Sequence, residues 1–283
     1  MIYVLFFVAV TAVWGWTFVV VKNAISQYPA LPFLQLRFLL AFLVMAILVR
    51  RLPTRKELLV GLLVGAVLAA AYLTQTVGLS LISPGNAGLI TGLLVLFTPV
   101  IDRLFGVPLK RRTIIAVICS AIGIAMLTGG PSGFGIGDVL VVACAVLFAL
   151  HIVLLSRWSP GLASAPLAMV QMGACALLFS AGGTWSLRMP STDVWIAIVI
   201  TGVFASALAF YIQTWAQAHI DASRTALIIA MEPAWAVAAA VVLAGQRFGW
   251  LQAAGAGLVL AAIAGHELAP VKFKTPEHEP IET

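Results

Sequence analysis

In the stretch LIIAMEPAWAV, residues 227–237, a glutamate precedes a proline, and only apolar and small residues surround them. Glu232 lies about ten residues from either end of its apolar run, too deep for its carboxylate to reach an interface. A carboxyl at such depth is neutral, partnered or facing water. Three roles fit: a hydrogen bond holding helices together, a seat for a substrate ammonium, or a proton carried through a cycle. His151, inside another run, is the second titratable group of this kind, and its ordinary pKa near neutrality suits a proton carrier as well as a buried, bonded imidazole. Further polar and aromatic side chains interrupt the runs: Trp14, Trp16 and Thr17; Tyr72, Thr74 and Gln75; Asn86 and Thr91; Tyr211, Gln213 and Trp215; and Trp235. Polar groups inside a bilayer face protein or water and often mark a pathway, although Gln75 and Gln213 could simply join helices and Thr91 could bond to its own backbone.

Other chemistries lack their residues. No His, Cys, Asp and Glu have metal-ligand spacing, no glycine-rich phosphate loop occurs, and no catalytic group or cofactor is indicated. Cys119, Cys144 and Cys175 all fall inside runs, where a thiol behaves as a small hydrophobe.

The elements that position these residues are set by composition. Of 283 residues 62% are hydrophobic and 9% charged, with a mean hydropathy of +1.10. A soluble domain carries roughly a quarter charged residues. Ten apolar runs cover about 2–22, 32–50, 58–80, 84–105, 112–129, 136–156, 164–185, 192–214, 222–244 and 248–267. Each is long enough, as a helix, to cross a hydrocarbon core about 30 Å thick. The runs are continuously apolar, unlike barrel strands, which alternate. The expected fold is an all-α membrane protein of ten transmembrane helices, with the lipid bilayer as its first partner. The opening run has no basic flank or small-residue cleavage site and reads as a retained helix, not a signal peptide.

Twelve of the sixteen Lys and Arg residues fall on the side of the termini, leaving Lys22, Arg37, Arg188 and Arg247 toward the other. The positive-inside rule then puts both termini in the cytoplasm. This asymmetry accounts for the net charge of +6 without a nucleic-acid partner. Arg37, early in the second run, is expected to snorkel to the outer face. The polar, proline-punctuated segment 268–283 reads as a disordered cytoplasmic tail.

The chain also repeats itself. YLTQTVGLSLISPGNAGLI, from Tyr72, aligns with FYIQTWAQAHIDASRTALI, from Phe210, matching Gln75-Thr76 with Gln213-Thr214, Ile82 with Ile220 and Leu89-Ile90 with Leu227-Ile228. A weaker match pairs the first span with the sixth, where His151 takes the place of Thr17. Two halves of five spans each, 1–129 and 130–267, must insert in opposite orientations, the inverted repeat of secondary transporters. Pro99 and Pro233 lie well inside the fourth and ninth runs, where each removes a helix hydrogen bond, and are expected as kinks or hinges. Gly61 with Gly65, and Gly88 with Gly92, have the small-xxx-small spacing of close helix contacts.

WGWTFVVVK at 14–22, GNAGLITGLLVLFTP at 85–99, ALIIAMEPAWA at 226–236 and ten spans in two halves resemble the drug/metabolite transporter superfamily, specifically its EamA-type ten-helix exporters. The resemblance covers about residues 2–267 and is closest to bacterial inner-membrane exporters of amino acids and related metabolites. It implies a central cavity lined by the third, fourth, eighth and ninth helices, with the first and sixth contributing. The family often has Ser-Asn where this chain has Trp16-Thr17, which leaves the substrate open. It implies no ATPase subunit, and a monomer or weak homodimer.

An exporter of small amphipathic metabolites, foremost hydrophobic and aromatic amino acids, is therefore expected, with other small metabolites or drugs as the alternative. A membrane-embedded enzyme would need clustered catalytic groups near one face, and a channel would need a continuous polar stripe. Neither pattern is present. Proton exchange, substrate exchange and facilitated diffusion all fit the sequence.

Overall fold

The computed structural model describes residues 2–108, 111–127, 134–181, 189–220 and 222–268. The expected tail, apart from Leu268, lies outside the described residues. Among them the chain is helical throughout and contains no strand, as a bilayer requires of a backbone that must satisfy its own hydrogen bonds. The helices are α1 (Ile2–Ile25), α2 (Ala30–Leu48), α3 (Arg55–Leu81), α4 (Pro84–Thr91), α5 (Leu94–Arg103), α6 (Arg111–Leu127) and α7 (Ile136–Trp158). They continue with α8 (Ser164–Ala181), α9 (Thr192–Val199), α10 (Ala209–Gln217), α11 (Ala222–Ile229), α12 (Glu232–Ala244) and α13 (Trp250–Leu268). A π-helical segment, Ile200–Leu208, joins α9 to α10.

Three pairs, α4 with α5, α9 with α10 and α11 with α12, each form one interrupted rod, so the thirteen helices make ten rods that follow the ten apolar runs. Seven are long and apolar enough to span a membrane; the others contain the shorter apolar helices Ile114–Leu127, Glu232–Ala244 and Trp250–Ala262. The chain is a multi-pass membrane protein.

Local signals start and stop the rods. Thr54 and Glu57 form a reciprocal capping box at the head of α3. Ser83 caps α4, whose first residue is Pro84, and Ser191 caps α9. Gly245 ends α12 with φ of 62°, a left-handed conformation that favours glycine. The carboxylate of Glu57 also accepts from Arg51 at 2.6 and 2.9 Å and from the Ala163 backbone N–H at 3.1 Å, tying α3 to the loop between α7 and α8. Arg157 bonds Asp102 at 2.7 Å, joining the ends of α7 and α5.

The rods pack α3 against α7 and α8, α2 against α8, α6 against α13, and α12 against both α1 and α4. Small residues set the closest approaches. A Cβ added at Gly88 would collide with the Ala236 Cβ, and one at Gly92 with the Pro233 ring. One at Gly15 would lie 2.5 Å from the Trp235 Cβ, and one at Gly61 would lie 2.6 Å from Val170.

One interruption falls just before a proline and another does not. Pro99 lies inside α5, and the break in that rod comes earlier, at Gly92-Leu93, where bonds tighten to Leu93 N–H onto Ile90 O, Val95 N–H onto Gly92 O and Leu96 N–H onto Leu93 O. Pro233 is in the first turn of α12, just after a turn at Ala230-Met231, a position whose N–H would have no helical partner anyway. Gly92 touches Pro233, so the two broken rods meet near their interruptions.

Candidate functional site

Where the broken rods meet α1, α2, α3, α7 and α10, sixteen residues enclose a pocket. From α1 come Trp14, Thr17, Phe18 and Val21; from α2, Arg37; from α3, Tyr72, Gln75 and Leu79; and from α5, Leu94. The other half gives Phe148, His151 and Ile152 of α7, Phe210 and Gln213 of α10, Ile229 of α11 and Glu232 of α12. Its volume is about 40 Å³, room for a few water molecules at roughly 10–15 Å³ each. A larger cleft of about 440 Å³ among α5, α6 and α7 is lined only by apolar residues and carries no group for chemistry or orientation.

Aromatic rings build the pocket walls. Tyr72 packs edge-on against Phe38, Phe148 and Phe210 with centroids 4.9, 5.3 and 6.0 Å apart, and Phe210 lies 5.5 Å from Trp14. Trp14 donates from Nε1 to the Ala205 carbonyl at 2.9 Å, so the π-helical segment supplies the acceptor that fixes the indole. Such segments interrupt α-helices frequently at functional sites.

Arg37 does not snorkel. It is 3% exposed, and its guanidinium lies 4.6 Å above the Tyr72 ring. Its Nε donates to Ser206 Oγ at 2.9 Å and its Nη2 to the Tyr72 hydroxyl at 3.3 Å. The pocket offers these acceptors and a stacking face, which the lipid-facing side of α2 lacks. The basic group that does cap a helix at a rod end is Lys22, whose Nζ donates to the Leu79, Ser80 and Ile82 carbonyls after α3.

His151 is 1% exposed, and its Nε2 donates to Gln171 Oε1 at 2.9 Å. The Gln171 amide nitrogen donates to the Leu167 carbonyl and to Thr214 Oγ1, which leaves its oxygen for the imidazole and puts the proton on Nε2. His151 Nδ1 has no hydrogen-bond partner among the described residues. Gln213 donates to Gln217 Oε1 at 2.9 Å, and Gln217 continues to the Ile152 carbonyl and Ser156.

Glu232 opens α12 and lines the pocket. The ion pairs among the described residues are Arg51–Glu57 and Arg157–Asp102, so neither Glu232 nor Arg37 belongs to one.

Of the residues singled out from the sequence, Trp14, Thr17, Tyr72, Gln75, His151, Gln213 and Glu232 line the pocket. Trp16 and Trp235 are 41% and 36% exposed and lie outside it, as does the half-buried Tyr211. Asn86 sits at the head of α4, where Oδ1 accepts from Gln246 at 3.5 Å, and Thr91 is buried beside Cys144. Sequence reasoning missed Arg37, Gln171, Ser206 and the rings Phe148 and Phe210. The rule that polar groups inside apolar runs mark a site would have found Gln171; nothing marks one phenylalanine among fifteen.

The sequence profile of the EamA-like transporter family matches residues 1–129 and again 135–266. An "Uncharacterized transporter" of Archaeoglobus fulgidus is 31% identical over 260 residues, covering 90% of this chain and 82% of its own. The "Uncharacterized inner membrane transporter YedA" of Escherichia coli K12 is 24% identical over 279 residues, 93% of this chain and 91% of its own. A "Probable terminal-alkyne amino-acid exporter" of Streptantibioticus cattleyicolor is 27% identical over 104 residues, 37% of this chain and 35% of its own. A crystal structure 19% identical in sequence superposes with a TM-score of 0.69 over 92% of this chain and 95% of that one, which shows the fold alone.

Proposed function

The chain belongs to the EamA-like transporter family, transporters and not enzymes, and from that premise we propose that it exports small amphipathic metabolites, foremost hydrophobic and aromatic amino acids, from the bacterial cytoplasm. It acts as a secondary transporter by alternating access at the pocket, as a monomer or weak homodimer. The observation that carries the reading is the pocket's chemistry: rings of Trp14, Tyr72, Phe148 and Phe210 around one acid, one guanidinium and two amides. Aromatic walls supply contact area for an apolar side chain, and the few polar groups orient its backbone. The partial match to an amino-acid exporter points the same way.

Two five-helix halves of opposite orientation, 1–129 and 130–267, are part of the proposal. In their favour, pocket residues come in pairs at constant offsets: Trp14 with Phe148 and Thr17 with His151, then Tyr72 with Phe210 and Gln75 with Gln213. Rod contacts also recur when each rod is exchanged for the one five later; α1 meets α12 as α7 meets α5, and α3 meets α8 as α2 meets the π-helical segment. A pocket of about 40 Å³ cannot hold an amino acid, so loading requires the rods to part. The contact between the broken rods, at Gly92 and Pro233, offers a place for that motion.

The test is transport in proteoliposomes for a panel of amino acids, sugars and quaternary cations, with and without a pH gradient. Movement of aromatic and large aliphatic amino acids is expected. Sugars or quaternary cations moving while every amino acid stays still would overturn the reading.

A further inference from the structure

The pocket holds one guanidine base and one carboxylic acid, Arg37 from the first half and Glu232 from the second. A guanidinium stays protonated inside a protein, and a buried charge is costly without an opposite one. Arg37 is 3% exposed, yet its hydrogen-bond partners, the Ser206 and Tyr72 hydroxyls, are neutral, and no carboxylate among the described residues pairs with it. Ser206 holds Nε, the Tyr72 hydroxyl holds Nη2, and the guanidinium carbon lies 4.6 and 5.3 Å from the Tyr72 and Phe38 ring centroids, so the fork is held before any ligand arrives. Of its five N–H donors these bonds use two, and Nη1 has no acceptor among the described residues. A planar fork with donors to spare, turned into a pocket, matches a carboxylate.

The two halves differ at these charges. Gly202 lies against the Arg37 carbonyl as Gly65 lies against Gln171, so the counterpart of Arg37 is a neutral amide, and the counterpart of Glu232, at the offset that pairs Gln75 with Gln213, is Leu94. Each charge occurs once, as a ligand with two unlike ends requires. We propose that Arg37 binds the substrate carboxylate while Glu232 takes its ammonium, so that the pocket selects zwitterions with both groups free. The assignment of Arg37 deepens the proposed export of amino acids and rests on it for the ammonium end.

The test uses three probes sharing one ring: L-phenylalanine, L-phenylalaninamide, which lacks the carboxylate, and 3-phenylpropionate, which lacks the ammonium. In proteoliposomes the amide should compete with labelled phenylalanine at least about tenfold more weakly than phenylalanine itself, the scale of one charge-assisted bond. R37Q should abolish that preference, and R37K should keep part of it by keeping the charge without the fork. Equal competition by phenylalanine and its amide in the wild type, or an unchanged ratio in R37Q, overturns the assignment. Thermal unfolding in detergent separates the two claims. Stabilisation by 3-phenylpropionate that R37Q removes supports the carboxylate seat even if no amino acid is transported, and no stabilisation of the wild type by any carboxylate overturns it. The wild-type ratio needs no variant, so a misfolded R37Q leaves the test intact.

Discussion

Glu232 lies in the first turn of α12, beside a turn in its rod and against the pocket. The N-terminal end of a helix carries partial positive charge and unpaired N–H groups, so this position favours an acid that hydrocarbon would reject. Glu232→Gln keeps the shape and removes the titratable carboxyl. It should leave expression and monodispersity in detergent intact while reducing amino-acid transport or flattening its pH dependence; unchanged transport at every pH, with unchanged affinity, would leave the residue only a structural part. His151 makes a contrasting case, because its Nε2–H is already held by Gln171. Gln171→Leu strands that buried donor and should destabilise the protein by about 1–3 kcal/mol in thermal unfolding. Glu232 and His151 were legible in the sequence because a titratable group in an apolar run has few places to go. Arg37 was not, since a long basic side chain near a helix end ordinarily reaches water, and only the acceptors Ser206 and Tyr72, distant in sequence, turn it inward.

At the scale of elements, the ten apolar runs forecast the ten rods within a few residues, because continuous hydrophobicity in a bilayer leaves the backbone one solution. The interruptions were less legible. The break at Ala230-Met231 lies just before Pro233, but that at Gly92-Leu93 lies away from Pro99, where the two rods cross and contact at Gly88 and Gly92 admits no side chain. The π-helical segment left no sequence signal at all; its Ala205 carbonyl and Ser206 hydroxyl matter only because Trp14 and Arg37 meet them in the fold. Gly92→Ala would press a methyl group into the Pro233 ring and should cost about 1–3 kcal/mol of overpacking, with transport impaired. Gly257→Ala, which meets nothing within 4 Å, should change neither and serves as the control.

At the scale of the molecule, the proposed arrangement is a bundle of two oppositely inserted halves with the substrate seat between them. Reporters fused after Arg55 and after Lys110 should read cytoplasmic, and those placed within 131–138 and 186–192 external; a cytoplasmic signal from 131–138 would break the five-plus-five arrangement. The expected orientation rests on the basic residues alone, whereas the pocket's small volume follows from packing that no sequence rule reports. Gln75 offers the most direct probe of the seat itself, since it lines the pocket from α3 and a cysteine there is compact and polar. In proteoliposomes, the reaction of Gln75→Cys with a membrane-impermeant thiol reagent should proceed from either face over the unmodified wild-type background and slow markedly when L-phenylalanine is saturating. Labelling from one face alone, or at a rate indifferent to phenylalanine, would contradict a pocket that binds the amino acid and opens alternately to the two sides.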